Sequence, residues 1–420
     1  MTLIQKRILF FLGFVFLLDI YLSGGIWAAF SGTAPLIRQT ALGLFWLLQI
    51  LFLSWLSKSL LLSGDFRTRG MKSIGRIGGI SVMLIAPALV FGILLFGEDI
   101  YRLIRLIVAG IDHLIQSDPA LQMQGAVSRS VLLSRVGLAI VALLTSIIGY
   151  GITRGKYRYK IHSKTIRFPD LPDAFNGVRI VQLSDIHAGS FDNKEAVKKG
   201  VELVNRQKPD LIFFTGDLVN NAASEMVPWI DVFRELKATE GKYSILGNHD
   251  YGDYVAWPSP ADKKANLEQL YEVHKKLEFR LLRNESIRII RGNDFIDLLG
   301  MENWGTSFAQ YGDLQKTLIN TAAASFKILL SHDPSHWEEQ VMDGPVRIPL
   351  TLAGHTHGMQ FGFELFGIQF SPARLRYKRW AGLYQKGRRY LYVNRGFGFL
   401  GFPGRVGIWP EITVLTLKRA

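Results

Sequence analysis

The chain has 420 residues, of which 48% are hydrophobic, a formal net charge of +14 and no cysteine. The length admits two or three domains, and the missing cysteine excludes disulfides and thiolate metal sites, so any metal would sit on His, Asp, Glu or Asn. The positive charge points to nucleic acid, anionic lipid or an anionic substrate; apolar segments of membrane length favour lipid, and without a recognised nucleic-acid motif no nucleic-acid partner is expected.

The first 155 residues are predicted to form a membrane-spanning helical domain. Four stretches have the length and apolar character to cross a bilayer, which takes about 20 residues: Ile8 to Phe30, Thr40 to Leu56, Ile77 to Gly97 and Val131 to Ile152. The first is too long for a signal-peptide core and has no obvious cleavage site before the next. The third carries Pro87, which membrane helices tolerate. Between the third and fourth, IYRLIRLIVAGIDHLIQ spaces arginines among apolar residues at helical intervals, the pattern of an amphipathic helix lying at the interface and not of a fifth span.

Lys and Arg in the short loops orient the bundle. Lys6 and Arg7 precede the first span. Lys58, Arg67, Arg69, Lys72 and Arg76 lie between the second and third, and Arg154, Lys156, Arg158 and Lys160 follow the fourth. The first loop has only Arg38, and Glu98, Asp99, Asp112 and Asp118 offset the arginines of the third. Both termini are therefore expected on the cytoplasmic face of a multi-pass protein. Asp19 and Gln49 lie within spans, where an acid is either functional or hydrogen-bonded to a neighbouring helix.

From residue 156 to 420 the texture is that of an α/β domain. VRIVQLSDIH (178–187), PDLIFFTGDL (209–218), KYSILGNHD (242–250), FKILLSHDP (326–334) and IPLTLAGHTH (348–357) are short apolar runs, as expected of strands buried on both faces. Each ends in Gly or Ser followed by Asp, Asn or His. The intervening NKEAVKKGVELVNRQ and MVPWIDVFRELKAT read as helices. Strands alternating with helices argue for an α/β sandwich, whose ligands bind at the carboxyl ends of the strands. One histidine after a strand means little, but five such ends make a site. His, Asp and Asn without thiolates suit Mn, Fe or Zn. The ligands outnumber what one ion needs, so two divalent ions sharing a carboxylate fit the count. Such a pair, about 3.5–4 Å apart, clamps the attacking and leaving oxygens of a phosphoryl group.

With SDIH, TGDL, GNHD, the His of LLSHDP and GHTH in this order, the chain resembles the calcineurin-like metallophosphoesterases over roughly residues 157–420. It is closest to the subgroup with a GHTHGGQ-type fifth block, some members of which carry N-terminal membrane spans. The resemblance implies a four-layer αββα sandwich and hydrolysis of a phosphate ester or anhydride by in-line attack of a hydroxide bridging two ions. It also implies roles. Asp185, His187 and His357 bind one ion, Asp217 bridges both, and Asn248, His332 and His355 bind the other. His249 faces the substrate as hydrogen-bond donor or acid, with Asp250 orienting it.

Met359 departs from the subgroup, which has Gly at this place, and bears on the substrate approach. His336 caps or packs, His113, His162 and His274 lie outside every block, and Asn220 and Asn221 shape the loop near the ions. The stretch 361–390 begins with aromatic and aliphatic residues and continues with Arg374, Arg376, Lys378, Arg379, Lys386, Arg388 and Arg389. It reads either as a surface that meets acyl chains and anionic headgroups or as a strand pair with a solvated basic face. The expected partners are membrane lipids and a phosphorylated or pyrophosphate-containing substrate. A lipid-linked one such as UDP-2,3-diacylglucosamine is plausible, since enzymes that cleave it share these motifs. The alternatives are a nucleotide phosphodiesterase, a phosphoprotein phosphatase, a catalytically silent metal-binding scaffold, or a transporter with a regulatory hydrolase domain.

Overall fold

The computed structural model describes residues 3–62, 71–116, 128–366 and 368–420. Arg67, Arg69 and Asp118 of the charge count lie outside them, as do the side chains of Lys72, Asp112 and His113. The chain divides into two compact units, Met1–Arg69 with Arg76–Gly149 and Gly70–Gly75 with Tyr150–Ala420.

Among the described residues, the first unit is made by α1 (Leu3–Ala29), α2 (Pro35–Ser57) and most of α3 (Met71–Gln116) and α4 (Val131–Thr153). Each holds a segment long and apolar enough to cross a membrane. Leu22 and Ile26 of α1 pack with Phe91 and Leu95 of α3. Asp99 on α3 accepts hydrogen bonds from Tyr21 (2.7 Å) and Arg129 (2.8 Å), tying α1 and the approach to α4 to α3. The expected amphipathic segment is not a separate helix. It continues α3, whose 46 residues make a rod about 70 Å long at 1.5 Å per residue. No residue between Gly97 and Tyr101 breaks the backbone ladder, and Pro87 lies inside the same helix. Asp19 is buried, and its Oδ2 has no partner among the described residues.

The second unit is built on two six-stranded sheets. Its elements in chain order are β1 (Lys160–Phe168), β2 (Arg179–Leu183), α5 (Lys194–Arg206), β3 (Leu211–Phe214), α6 (Ile230–Phe233), β4 (Gly241–Ser244), α7 (Pro260–Lys276), β5 (Arg280–Leu281), β6 (Glu285–Arg291), β7 (Asp294–Gly300), α8 (Leu314–Leu318), β8 (Phe326–Leu330), β9 (Leu350–Ala353), β10 (Phe363–Leu365), β11 (Ile368–Phe370), β12 (Gly382–Lys386), β13 (Arg389–Val393) and β14 (Glu411–Arg419). One sheet runs β1-β14-β2-β3-β4-β5 and the other β12-β13-β9-β8-β7-β6, while β10 and β11 form a separate ribbon. Strands β2, β3 and β4 are mutually parallel, as are β7, β8, β9 and β13. Their residues are apolar on both faces because each sheet is covered twice. Ile180, Phe213, Leu298, Ile328 and Leu352 fill the space between the sheets. Val201, Phe233 and Leu270 pack α5, α6 and α7 on the first sheet, and Leu314, Trp337 and Val341 cover the second. The layers are therefore helix, sheet, sheet, helix.

Local signals place the helices. Asn193 caps α5 by accepting from Ala196 N at 3.0 Å, and Ser259 caps α7 ahead of Pro260. The helix expected over MVPWIDVFRELKAT is shorter than its pattern. A 3₁₀ segment occupies Ala223–Trp229, and only Ile230–Phe233 is α-helical, because Pro228 cannot donate to the ladder and its ring crowds the preceding turn.

A buried ion network holds the last strand. Arg395 pairs with Glu411 and Glu364, each at 2.6 Å, and Glu411 also accepts from Tyr392 and Thr413 at 2.6 Å. Burial alone would raise the Glu411 pKa, but the Arg395 charge and these hydroxyls lower it to about 2. Replacing one partner of such a pair leaves a buried charge unpaired. Arg395→Met is expected to cost about 3–5 kcal/mol, read as a lowered melting temperature in detergent, and adding Glu411→Gln should restore part of it. An unchanged melting temperature would contradict the network's role.

Candidate metal centre

All five sequence blocks sit at carboxyl ends of neighbouring parallel strands, three on one sheet and two on the other. SDIH follows β2, TGDL follows β3, GNHD follows β4, SHDP follows β8 and GHTH follows β9. The sheets are joined at this end by specific bonds. His355 N donates to both Asp185 carboxylate oxygens at 3.0 Å, and His332 Nδ1 lies 2.7 Å from the Thr215 carbonyl. Beneath them Gln182 of the first sheet donates to Ala353 O of the second at 2.8 Å.

The turns that present the side chains are strained. Asp185, His187, Asp217, His355 and His357 all have φ between 48° and 71°, a left-handed conformation that non-glycine residues avoid and that costs about 1–3 kcal/mol each. The sharp reversal points each side chain back across the strand ends. Glycines clear the space. A Cβ at Gly247 would overlap the Asp217 carboxylate, and one at Gly354 would overlap Ser184 and Asp185. Met359 is also left-handed, at φ 47°, which accounts for a glycine preference there on backbone grounds alone. Its side chain is exposed.

Two groups of ligating atoms result, Asp185, His187 and His357 in one and Asp217, His332 and His355 in the other. His187 Nε2 and His357 Nε2 lie 3.1 Å apart, and the latter is 3.2 Å from Asp185 Oδ1. In the second group His355 Nδ1 lies 3.2 Å from His332 Nε2. Asp217 Oδ2 stands between the groups, 3.4 Å from His187 Nε2 and 3.2 Å from His332 Nε2. Asn248 donates from Nδ2 to Tyr254 Oη at 2.7 Å, whereas its buried Oδ1 has no partner among the described residues. Converging imidazole nitrogens, buried carboxylates and an orphaned amide oxygen are the donor set of divalent cations, so the residues fit a pair of ions.

The electrostatics agree with this geometry. Burial opposes ionisation of Asp217, yet the neighbouring histidines hold its pKa well below the usual carboxylate range. Burial likewise opposes a charge on His332, but Asp217 and Asp185 raise its pKa to about 10. Burial lowers His187 and His355 to about 4, so both are neutral at physiological pH as ligands must be, whereas His332 would give up its proton on binding an ion.

His249 stays outside both groups, half-buried between the rings of His187 and Tyr254, at 5.0 and 4.5 Å. The expected pairing with Asp250 does not occur. His249 Nδ1 lies 2.8 Å from the Asn220 carbonyl. Asp250 turns the opposite way and accepts from four backbone amides, Asp217 and Gly247 on Oδ2 (both 2.9 Å), Leu218 (2.8 Å) and Val219 (3.2 Å) on Oδ1. Successive residues of a tight turn diverge, so Asp250 holds the loop that carries Asp217 rather than the imidazole. Asn220 shapes the loop as expected, but through its carbonyl, and Glu225 in turn accepts from the Asn220 amide at 2.6 Å.

His336 packs on Trp304 and bonds Ser331 (3.0 Å) and Gln340 (3.3 Å). His274 is buried against Ser244, and His162 lies on β1. None of the three joins the ligand set. Two partners of His355 were not singled out from the sequence. Its Nε2 lies 2.9 Å from Tyr377 Oη and 3.5 Å from Asp333 Oδ2. Asp333 was visible beside His332 in SHDP; nothing in RLRYKRW marks Tyr377 as returning to the site. Beside Asn248 opens a cavity of about 180 Å³ lined by Tyr254, Phe308 and Tyr311.

Comparison with known proteins follows the same lines. The calcineurin-like phosphoesterase profile matches residues 178–359, and that of the probable calcineurin-like phosphoesterase transmembrane domain matches residues 5–156. The chain is 32% identical over 300 residues to the uncharacterized metallophosphoesterase YkuE of Bacillus subtilis, covering 69% of this chain and 97% of that one. It is 28% identical over 291 residues to a transmembrane protein with metallophosphoesterase domain of Danio rerio, covering 67% of this chain and 62% of the relative.

Removing the Asp250 carboxylate strands four buried amides, each worth about 1–3 kcal/mol when unsatisfied. Asp250→Ala is therefore expected to lower the melting temperature in detergent markedly and to weaken metal retention. A variant that melts and binds metal like the parent would refute the structural role assigned to this carboxylate.

Proposed function

We propose that this chain, which belongs to the calcineurin-like phosphoesterases, a family of phosphate-ester hydrolases that use divalent metals, cleaves a phosphate ester or pyrophosphate carried by a membrane lipid. Residues 1–155 form the membrane-spanning part and 156–420 the catalytic part, which faces the cytoplasm. The observation that carries the reading is the Asp217 carboxylate between His187 and His332, 3.4 and 3.2 Å from their Nε2 atoms.

Asp185, His187 and His357 would hold one ion and Asn248, His332 and His355 the other, with Asp217 available to both. Two divalent ions held there would supply Lewis acidity to the phosphoryl oxygens and acidify the attacking water. The chain's own groups do the rest. Asn220 and Tyr254 fix the His249 ring at the rim of the site, where it hydrogen-bonds the phosphoryl group and protonates the departing oxygen. Asp250 keeps the Asp217 loop rigid, and Tyr377 with Asp333 orients His355 from behind. The complete ligand set favours catalysis over a silent scaffold. A lipid-borne ester is favoured because the spans hold the catalytic part at a bilayer. The cytoplasmic orientation is supported by Lys6, Arg7, Lys58, Arg76, Arg154 and Arg158.

Hydrolysis of bis(p-nitrophenyl) phosphate by the detergent-purified chain with Mn²⁺ tests the reading. Turnover should vanish in Asp217→Asn and on treatment with a chelator. His249→Ala should lower kcat by about 10²–10⁴-fold on an alkyl phosphodiester, and by less on the nitrophenyl ester, whose leaving group needs no proton. Equal losses on the two esters would remove the acid role from His249, and activity that survives Asp217→Asn would sink the shared-carboxylate assignment.

A further inference from the structure

The β10–β11 ribbon immediately after the last ligand block has an amphipathic build with its apolar side outward. Its register pairs Phe363 with Phe370, Glu364 with Gln369 and Leu365 with Ile368. Side chains alternate across a ribbon, so Phe363, Leu365, Ile368 and Phe370 share one face and Glu364 and Gln369 the other. The apolar four are between 43% and 64% exposed, and Phe366, next to the turn, is fully exposed. The Phe363 and Phe370 rings stack at 5.7 Å, which makes the face continuous. The polar face points the other way, Glu364 reaching the buried Arg395 at 2.6 Å. The ribbon's one carboxylate is thus turned inward to Arg395, while its apolar face is exposed.

Charge lies on the segment that follows. Of the basic residues here, Arg379 pairs with Glu338 (2.8 Å), Lys386 with Asp343 (2.6 Å), and Arg389 donates to the Met342 and Gly344 carbonyls (both 2.7 Å). Arg374, Arg376 and Lys378 are exposed and, among the described residues, have no carboxylate in ion-pair range. Leu375 between them is 92% exposed. Exposed aromatics and aliphatics beside unpaired cations match an interface of acyl chains under anionic headgroups. The chain's spans keep a bilayer at high local concentration.

We infer that the β10–β11 ribbon inserts its apolar face into the headgroup–acyl boundary of an anionic bilayer, with Arg374, Arg376 and Lys378 on the lipid phosphates. The ribbon is fastened at both ends, on one side to the segment that follows His357. Ser371 donates to the Gly358 carbonyl (2.6 Å), Gly362 N donates to Val406 O (2.9 Å), and Tyr377 reaches His355. Arg376 lies over Phe308 and Tyr377 at 5.5 and 5.6 Å. Membrane contact therefore sets the height of the site above the headgroups. The inference deepens the lipid-borne substrate reading, on which it rests for its consequence but not for its test.

The absence of cysteine makes that test direct. Phe366→Cys and, as control, Ile290→Cys on edge strand β6 are labelled with bimane in the full chain. The labelled chain is reconstituted in phosphatidylcholine vesicles with about one-third phosphatidylglycerol carrying a shallow nitroxide quencher on the acyl chain. The probe at 366 should be quenched at least about threefold more than that at 290, as expected for a group within 5–10 Å of the boundary. The difference should shrink without phosphatidylglycerol or with Arg374→Gln and Lys378→Gln together. Equal quenching at the two positions would overturn the inference. Equal quenching together with a disulfide between unlabelled Phe366→Cys chains would give the face to a second copy instead. Because no hydrolysis is read, a failure here is distinct from a failure of the phosphoesterase reading, which the Asp217→Asn assay tests alone.

Discussion

The buried carboxylate of Asp217 is the constraint on which the rest of the catalytic unit turns. It belongs to a loop of the first sheet, yet it faces a histidine from each sheet, and it is held ionised by those histidines against the cost of burial. Keeping a charge there requires the two sheets to stay in one register. The amide of His355 on Asp185 and the His332 ring on the Thr215 carbonyl do this at the site, and Gln182 does it one layer below. Asp250 then locks the loop from behind. Left-handed backbone at five ligand residues stores strain that only such an over-determined setting sustains.

Much of this was legible in the sequence because strand ends announce themselves. Continuous apolar runs stopped at Gly or Ser and then offered Asp, Asn or His, and chain order alone put five of these together. The layered α/β architecture followed from the same runs. What escaped was carried by groups without a side-chain signature. The Asn220 carbonyl that holds His249 is a backbone atom, and no residue type advertises it. The family resemblance makes Asp250 the partner of His249, whereas the turn sends the two side chains to opposite sides. Tyr377 reaches His355 from 22 residues away, after a ribbon whose fold the composition does not dictate. In the membrane part the fault was different in kind. The arginine periodicity at residues 100–116 is helical, but periodicity does not say where one helix ends, and α3 runs through.

Two parts of the chain thus combine membrane-spanning helices with a phosphoesterase domain that carries two candidate metal-binding clusters. The helices supply attachment. The ribbon beside the fifth block and the cations after it supply a surface of the chemistry that a bilayer presents. The candidate ligands His355 and His357, the ribbon and the exposed cations up to Lys378 lie on one short segment, so the inferred membrane contact and the candidate site are linked by backbone continuity. Met359, left-handed and exposed between them, is the departure from the subgroup pattern that stands nearest to both.

The central claim is that two cations are bound through one shared carboxylate. Its most direct test is the metal content of the chain, purified in detergent without added chelator, by elemental analysis beside Asp217→Asn. Two divalent ions per chain in the parent and fewer than two in the variant are expected. A parent chain that carries no divalent metal, even after dialysis against Mn²⁺ or Zn²⁺, would contradict the account.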